Sequence, residues 1–338
     1  ARFQIYRHAP TLVRHHQTSE TMVSQDNTEG TRAKMRIGTR GSPLALAQAH
    51  ETRDLLIAAH DDLGIDDVEI VVISTKGDRV LDRALSEIGG KGLFTEEIET
   101  GLADGSIDIA VHSMKDMPTE LPDGLIIPCL LPREDVRDVF ISNKASRLQD
   151  LPQGAVIGSA SLRRQAQIKF QRPDLQVVTF RGNVQSRLRK LEEDVVDATL
   201  LAQAGLNRLD MAHVATETLS VEQMLPAVAQ GAIGIECRDG DTRVLAYLTP
   251  LACADTMACV TAERAVLAAL DGSCRTPIAA LATLQDGRIS LRAKVLRPDG
   301  SEALETTREG DVADARALGQ DAGDELKQKA GPDFMTAE

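Results

Sequence analysis

Residues 155–165, AVIGSASLRRQ, decide the fold class, because they combine a short apolar strand, a turn of small residues and the start of a helix. Ser161 stands at the position of a helix N-cap, where a hydroxyl can accept a hydrogen bond from the first turn. From Met35 onward, short β-branched runs alternate with helical stretches in the same way. This alternation is typical of sheets covered by helices, so we predict an α/β fold with parallel sheets.

The remaining strands are predicted from similar apolar and β-branched runs. The full set of these strands is 69–74, 107–112, 138–142, 155–158, 176–180 and 197–201. Ser42 and Pro43 suit the cap and first position of a helix, which we predict to continue to Ala59.

The pattern changes after about residue 254, where a small α+β domain is predicted. Asp286-Gly287 is a hairpin signal between two strand-like runs. The predicted elements are a helix over 256–270, runs at 278–285 and 289–296, a turn at Asp299-Gly300 and an amphipathic helix near 311–329.

Length and charge narrow the class of protein. A chain of 338 residues exceeds the size at which one hydrophobic core stops growing, so we expect two or three domains and a cleft. The net charge of −13 repels phosphate backbones and aromatic residues make up only 2%, so nucleic acid is not an expected partner. No apolar run approaches the ~20 residues that span a bilayer, so no membrane partner is expected.

Cysteine and histidine spacing indicates no metal site. The five cysteines include no CxxC pair and no HExxH occurs, and the odd cysteine number favours a reducing compartment over a disulfide framework. Residues 1–34 are polar without apolar periodicity and are not expected to fold. Their Arg-rich start resembles an organellar transit peptide, but we prefer an upstream extension or expression remnant because the segment turns acidic after Glu20.

Ionisable residues follow the strand 107–112 directly. The segment VHSMKD at 111–116 places Lys115 and Asp116 at a carboxyl end of a strand, which is where open α/β sheets bind ligands. An exposed turn pair explains the same two residues equally well.

Arginines gather at strand ends although the chain is acidic. Ser161, Arg163 and Arg164 lie at a predicted helix N-terminus, where backbone N–H groups and guanidiniums can meet one anion. Further arginines of this kind are Arg40, Arg181 and Arg187, whereas Arg189 and Lys190 better fit a solvated helix face. The pattern indicates a ligand with several carboxylates or phosphates.

Two loops carry other candidate residues. Gly89-Gly90-Lys91-Gly92 lacks the spacing of a Walker loop and is interpreted as a mobile cover whose Lys91 can reach an anion. Cys274 lies beside Arg275 on a turn with little apolar cover, which favours a reactive thiol, although spacing alone does not make it functional. Cys129 and Cys259 are interpreted as core residues.

Together these motifs resemble the porphobilinogen deaminase family over nearly all of 35–330. The matching segments are RIGTRGSPLALAQA at 36–49, GGKGLF at 89–94, AVHSMKDMP at 110–118, SLRRQ at 161–165, RGNV at 181–184, LPAVAQGAIGIECR at 225–238 and GSCRTPI at 272–278.

The resemblance implies two α/β domains like those of periplasmic solute-binding proteins, followed by a small C-terminal α+β domain. The implied domains are 35–131 with 232–250, then 137–226, then 254–338. It also implies a monomer in the cytoplasm, with organellar import as the alternative if 1–34 is a transit peptide.

The implied reaction joins four porphobilinogen molecules head to tail with loss of ammonia, and hydrolysis then releases hydroxymethylbilane. The chain would grow on a dipyrromethane cofactor held by a thioether to Cys274. Asp116 matches the catalytic aspartate, which would assist loss of the aminomethyl nitrogen and stabilise the resulting cation.

Other matched positions would hold the carboxylates of cofactor and substrate. The cofactor set is Lys115, Ser113, Ser159, Ser161, Arg163, Arg164, Arg187 and Arg208, and the substrate set is Arg40, Ser42, Arg181 and Lys91. Ala160 and Gln185 depart from the serine and glycine common in the family, which puts details of carboxylate contact in doubt.

Two alternatives are open, one of them a protein without catalytic activity and the other a different enzyme. A non-catalytic solute-binding protein would use the same architecture and arginine-lined cleft, although we expect no secretory signal here. A phosphate-handling transferase is disfavoured because no P-loop or metal cluster is indicated.

Overall fold

The computed structural model describes residues 35–79, 95–272 and 276–334. The predictions for 1–34, for Lys91 in the loop 89–94, and for Cys274 lie outside these described residues.

The described residues form strands and helices that alternate over most of the chain. The strands are β1 Met35–Thr39, β2 Val68–Val72, β3 Ile109–Ser113, β4 Leu125–Leu130, β5 Asp138–Ser142, β6 Val156–Gly158, β7 Gln176–Val178, β8 Ala198–Ala202, β9 Glu217–Thr218, β10 Ile233–Arg238, β11 Ile278–Gln285, β12 Arg288–Leu296 and β13 Ala303–Asp311. The α-helices are α1 Pro43–Ala59, α2 Lys76–Arg79, α3 Glu96–Ala103, α4 Leu162–Gln171, α5 Val184–Glu192, α6 Gln203–Arg208, α7 Thr242–Leu248, α8 Ala254–Ala269 and α9 Ala315–Ala330. The six strands predicted between 69 and 201 are confirmed, with boundaries within two residues.

Two mixed sheets form the larger part of the fold. Sheet 1 has the strand order β2-β1-β3-β10-β4, and sheet 2 has the order β7-β6-β8-β5-β9. In sheet 1, β1 is parallel to β2 and β3, whereas β10 is antiparallel to both its neighbours. In sheet 2, β6 is parallel to β7 and β8, whereas β5 is antiparallel to both its neighbours.

The prediction of parallel sheets was therefore wrong for one internal strand in each sheet, and the reason lies in the connections. The chain passes from sheet 1 to sheet 2 through 131–137, and returns through 219–232. Strands β5 and β10 are the first strands after these two segments. Each of these strands therefore joins its sheet from the other sheet, and not through the crossover connection that links parallel neighbours within one sheet.

The C-terminal part is a third, antiparallel sheet of order β11-β12-β13, with α8 and α9 packed around the same hydrophobic core. The predicted hairpin turn is confirmed, and Asp286 and Gly287 adopt φ values of 50° and 74°. The fold class is thus confirmed as α/β followed by a small α+β region. Strand β13 was not predicted, because its exposed edge carries charged residues instead of an apolar alternation.

The two predicted helix starts are also confirmed. Ser42 accepts a hydrogen bond from the backbone N–H of Ala45 at 3.3 Å, with Pro43 at the first helical position of α1. Ser161 accepts from the N–H of Arg164 at 3.4 Å, which fixes the start of α4.

Glu263 on α8 joins the two connecting segments to the C-terminal region. Its fully buried carboxylate pairs with Arg133 of segment 131–137 at 2.6 Å, and accepts from the N–H of Ala229 of segment 219–232 at 2.6 Å. It also accepts from the N–H of Ala282 on β11 at 2.8 Å. The carboxylate of Glu263 thus contacts both segments that connect sheets 1 and 2, and also the third sheet.

Within the described residues, no single helix has the length and apolar character to cross a membrane, although α7 with its extension to Leu251 and α8 meet the criterion as a pair bent by 103°. No metal-binding cluster of His, Cys, Asp or Glu occurs in this part of the chain.

Candidate active site

The end of β3 presents Lys115 and Asp116 to a cleft. After the strand, residues Met114–Asp116 form a short 3₁₀ turn. Met114 and Met117 on either side are buried in the core that contains α8. Arg264 of α8 donates hydrogen bonds to the carbonyls of Met117 and Pro118. Because both flanks are anchored, the exposed Asp116 and half-buried Lys115 are held at the sheet edge.

Sheet 2 contributes the anion-facing loop after β6. The backbone at Gly158 lies against Phe180, where a Cβ would meet the ring at 2.5 Å, so a larger residue would displace that ring. Ser159 is buried, and its hydroxyl accepts from the N–H of Ser161 at 3.2 Å. This hydrogen bond orients the residue that caps α4.

A larger cavity of about 210 Å³ brings these elements together. The residues lining it come from both sheets and from the C-terminal region. They are Lys115, Asp116, Ala160, Ser161, Arg163, Arg164, Arg187, Ala227, Val228, Gln230, Leu267, Thr276 and Ile278. The sequence-predicted aspartate therefore faces three of the predicted arginines.

Two of those arginines already have a protein partner. Arg163 and Arg164 each pair with the buried carboxylate of Asp138 on β5 at 2.7 Å. Gln230 donates to the same carboxylate at 3.0 Å. Burial opposes the charged form of Asp138, but the two guanidiniums hold its pKa well below its ordinary range. The group keeps an excess positive charge, because two cations share one anion.

Arg187 differs from this pair. Among the described residues it forms no ion pair with a carboxylate, and its buried Nε has no hydrogen-bond partner, although the Nε of Arg163 also lacks one. Burial, with repulsion from Arg164 and Arg181, lowers the pKa of Arg187 to about 10. A bound carboxylate would supply the missing partner and offset that repulsion.

Lys115 adds another cation beside Asp116. Burial lowers the pKa of Lys115, Asp116 opposes the shift, and Arg164 and Arg163 reinforce it. The larger cavity is thus strongly electropositive inside an acidic protein.

Asp116 also lines a second, smaller cavity of about 70 Å³ in sheet 1. The side chains around it are Arg40, Ser42, Leu44, Ala45, Gln48, Thr95, Val111, His112, Ser113, Asp116 and Met117. Ser113 is hydrogen-bonded to Gln48 of α1 at 2.9 Å. Asp116 is therefore shared by a cavity with arginines of sheet 2 and a cavity with predicted substrate ligands of sheet 1.

Some predicted ligands lie elsewhere. Ser159, Arg181 and Arg208 are not among the described residues that line either cavity. Arg208 pairs with Glu51 at 2.9 Å and donates to the carbonyl of Gly231. It thus links α6 to α1 and to segment 219–232.

Other residues of the site were missed by sequence analysis. Asp138 was interpreted only as the start of a strand, and Gln230 received no role. His112 was read as part of a motif without a partner, yet it pairs with Glu236 of β10. These pairings join residues between 26 and 124 positions apart, for which one sequence offers no local signal.

Two family models match the chain. The model described as "Porphobilinogen deaminase, dipyromethane cofactor binding domain" matches residues 35–246. The model described as "Porphobilinogen deaminase, C-terminal domain" matches residues 257–328.

Curated relatives match over most of their length. The chloroplastic porphobilinogen deaminase of Oryza sativa subsp. japonica is 61% identical over 305 residues, which cover 89% of this chain and 85% of that protein. The porphobilinogen deaminase of Paracoccus denitrificans is 60% identical over 301 residues, which cover 89% of this chain and 96% of that protein. Among solved structures, a putative methionine-binding lipoprotein of Bacillus subtilis aligns with a TM-score of 0.41 at 12% identity, covering 65% of this chain and 90% of that one.

Proposed function

The chain belongs to the porphobilinogen deaminase family, and from this premise we propose that Asp116 is its catalytic carboxylate and that Cys274 carries its dipyrromethane cofactor. The enzyme is a transferase of tetrapyrrole biosynthesis, which joins porphobilinogen units with release of ammonia. The finer assignment is the hydroxymethylbilane synthase reaction, in which four units are joined and hydrolysis frees the product.

One observation carries the proposal: the larger cavity brings Asp116 and three predicted arginines to the same place. When bound, the cofactor supplies the pyrrole carbon on which the chain grows. Its four carboxylates suit this cavity, because Arg187 has an unsatisfied buried Nε and the Arg163–Arg164 pair shares one anion. Thr276, two residues from Cys274 along the chain, lines the same cavity.

Asp116 would act on the aminomethyl nitrogen at the junction of the two cavities. Its carboxylate can stabilise the positive charge that develops on the substrate as ammonia leaves. At ~4 Å and an effective dielectric of about 20, this attraction is about 4 kcal/mol before desolvation. Arg264, through the carbonyls of Met117 and Pro118, would keep that carboxylate in position.

The remaining residues divide between the two cavities in this proposal. Arg40 and Ser42 line the smaller cavity and would bind substrate carboxylates, with Lys91 and Arg181 as further predicted ligands. Ser113 would face the junction. Ser159 and Arg208 would support the site through Ser161 and Glu51.

The proposed domains are those implied by the sequence. Sheet 1 lies within 35–131 and 232–250, sheet 2 within 137–226, and the third sheet within 254–338. We also propose that the enzyme is a monomer of the cytoplasm. Because two plant relatives are chloroplastic, fusion of residues 1–34 to a fluorescent protein tests the alternative of organellar import.

The experiment that tests the assignment is the intact mass of the purified protein. We expect a covalent excess of two pyrrole units, and its loss together with activity in a folded Cys274→Ser variant. Cys253→Ser is the matched control, because Cys253 is a partly buried free thiol of the same chain. Retention of the dipyrrole mass in Cys274→Ser protein contradicts the assignment.

A further inference from the structure

A histidine and a glutamate are buried together beside the smaller cavity. His112 on β3 and Glu236 on β10 lie on adjacent antiparallel strands, and their Nε2 and Oε2 atoms are 2.9 Å apart. His112 is only 6% exposed and Glu236 is fully buried. The pair is therefore a polar contact inside sheet 1, where apolar side chains would fit the surrounding core.

Stability does not account for such a pair. Burying two ionisable groups costs desolvation energy that apolar replacements of similar size avoid. The second oxygen of Glu236, Oε1, has no hydrogen-bond partner among the described residues. Burial raises the pKa of Glu99 of α3, a hydrogen bond with Thr95 opposes this shift, and the nearby charge of Glu236 adds to it. The carboxylate of Glu236 is thus available to stabilise a cation at His112.

His112 lines the smaller cavity together with Arg40, Ser42 and Asp116, and the proposed function places the substrate in this cavity. Its Nε2 is occupied by the carboxylate of Glu236, which as an acceptor favours the tautomer with hydrogen on Nε2. Nδ1 is then a proton acceptor. A carboxylate that orients a histidine base in this way is a recurrent catalytic arrangement.

The condensation requires a proton acceptor in its last step. The C–N bond of the substrate breaks and its electron pair leaves with ammonia. The α-carbon of the attacking pyrrole supplies the pair for the new C–C bond. The C–H bond at that carbon must then break, so that its electrons restore the aromatic ring. Asp116 faces the cation formed in the first step, and a base beside it is needed for the proton released in the last.

We propose that His112 is this base, that its Nδ1 takes the α-proton at each condensation, and that Glu236 positions the ring and stabilises the imidazolium. The inference rests on the proposed function, because the substrate must react beside Asp116. Arg40 and Asp116 are the other charged groups lining the cavity, and Glu99 is the charged group behind Glu236.

The test uses a His112→Gln variant that carries the dipyrromethane cofactor. Intact-mass measurements give the rate at which pyrrole units are added to this protein. Porphobilinogen deuterated at its free α-carbon is compared with ordinary substrate. The first addition consumes a ring that carries ordinary hydrogen, so it is an internal control, whereas each later addition breaks a C–D bond. We expect additions ~10²–10⁴-fold slower than in the wild type, with deuterium slowing the later additions. Wild-type rates, or slow additions without that isotope effect, overturn the proposal.

His60→Gln is the matched control, because His60 makes one hydrogen bond of the same length, 2.9 Å, to the carbonyl of Tyr247 and lines neither cavity. It should leave rates and isotope effects unchanged.

If His112→Gln protein does not acquire the dipyrromethane cofactor, the Glu236→Gln variant and the protonation state of His112 test the proposal instead. Nitrogen NMR of unreacted wild-type protein should show hydrogen on Nε2 and a bare Nδ1 at His112, and a hydrogen on Nδ1 overturns the proposal. Loaded Glu236→Gln protein should add units more slowly than the wild type, and equal rates overturn it. Wild-type protein without dipyrrole mass contradicts the proposed function instead, and this is visible before any variant is compared.

Discussion

Arg164 and Arg187 lie in the first turns of two successive helices and face the same cavity, but their surroundings differ. Arg164 is bonded to Asp138 and to the carbonyl of Leu200, whereas the Nε of Arg187 is buried without a partner among the described residues. Arg164 is therefore a structural part of the cavity wall. Arg187 can bind a ligand. Arginines in similar sequence motifs can therefore divide between structure and binding.

The largest loss of stability should come from removing the negative charge of Asp138, which pairs with Arg163 and Arg164 in the cavity wall. Asp138→Asn keeps the shape of the side chain but leaves Arg163 and Arg164 buried without a counter-charge. Breaking a buried ion pair in this way costs about 3–5 kcal/mol, so the free energy of unfolding in urea should fall by that amount. The surface change Asp123→Asn should stay within about 0.5 kcal/mol.

The stability of the Asp138→Asn variant should also depend on pH differently from that of the wild type. The pKa of Asp138 is lowered in the folded state, so its contribution is complete above the unfolded pKa of about 4 and is lost as the pH falls toward the folded pKa. The stability difference between the wild type and Asp138→Asn should therefore narrow below pH 4. A difference that stays constant from pH 6 to pH 2.5 would contradict the ion-pair assignment.

A smaller loss of stability is expected for Arg164→Ala or Arg163→Ala, because the other arginine and Gln230 still contact Asp138. One charged hydrogen bond contributes about 1.5–3 kcal/mol. Both variants should be purified without the dipyrrole mass, since the wall that holds the carboxylates is incomplete. Fully loaded, elongating Arg163→Ala and Arg164→Ala proteins would show that these arginines do not hold the cofactor.

Arg187→Met should change stability least. The Arg187 guanidinium has a buried Nε without a hydrogen-bond partner among the described residues, and its charge is repelled by Arg164 and Arg181. We expect a stability within about 0.5 kcal/mol of the wild type. The cofactor mass should be present, but species with added pyrrole units should form more slowly. Arg187→Met protein without the cofactor mass would contradict the proposal that Arg163 and Arg164 hold the cofactor while Arg187 acts in elongation.

These two kinds of arginine also mark the limit of sequence analysis. The strand, turn and cap around Ser161 were predicted correctly because they depend on neighbouring residues. The pairing of Arg164 with Asp138 spans 26 residues and two strands of sheet 2, so no local pattern reports it. The antiparallel direction of β5 and β10 was missed for a related reason, since it follows from how the chain passes between sheets. Cys274 and Asp116 were assigned their roles through the family resemblance, whereas the cavity arginines were also selected from their positions at strand ends.

In the proposed mechanism Asp116 carries the chemistry between the two cavities, and this role is measured by ammonia release in a single turnover. Loaded Asp116→Asn protein should keep its fold and cofactor mass but release ammonia ~10²–10⁴-fold more slowly, because an amide supplies no negative charge to stabilise the cation that forms as ammonia leaves. Asp123→Asn, an exposed aspartate outside both cavities, should release it at the wild-type rate. Near-normal release from loaded Asp116→Asn protein would contradict the account.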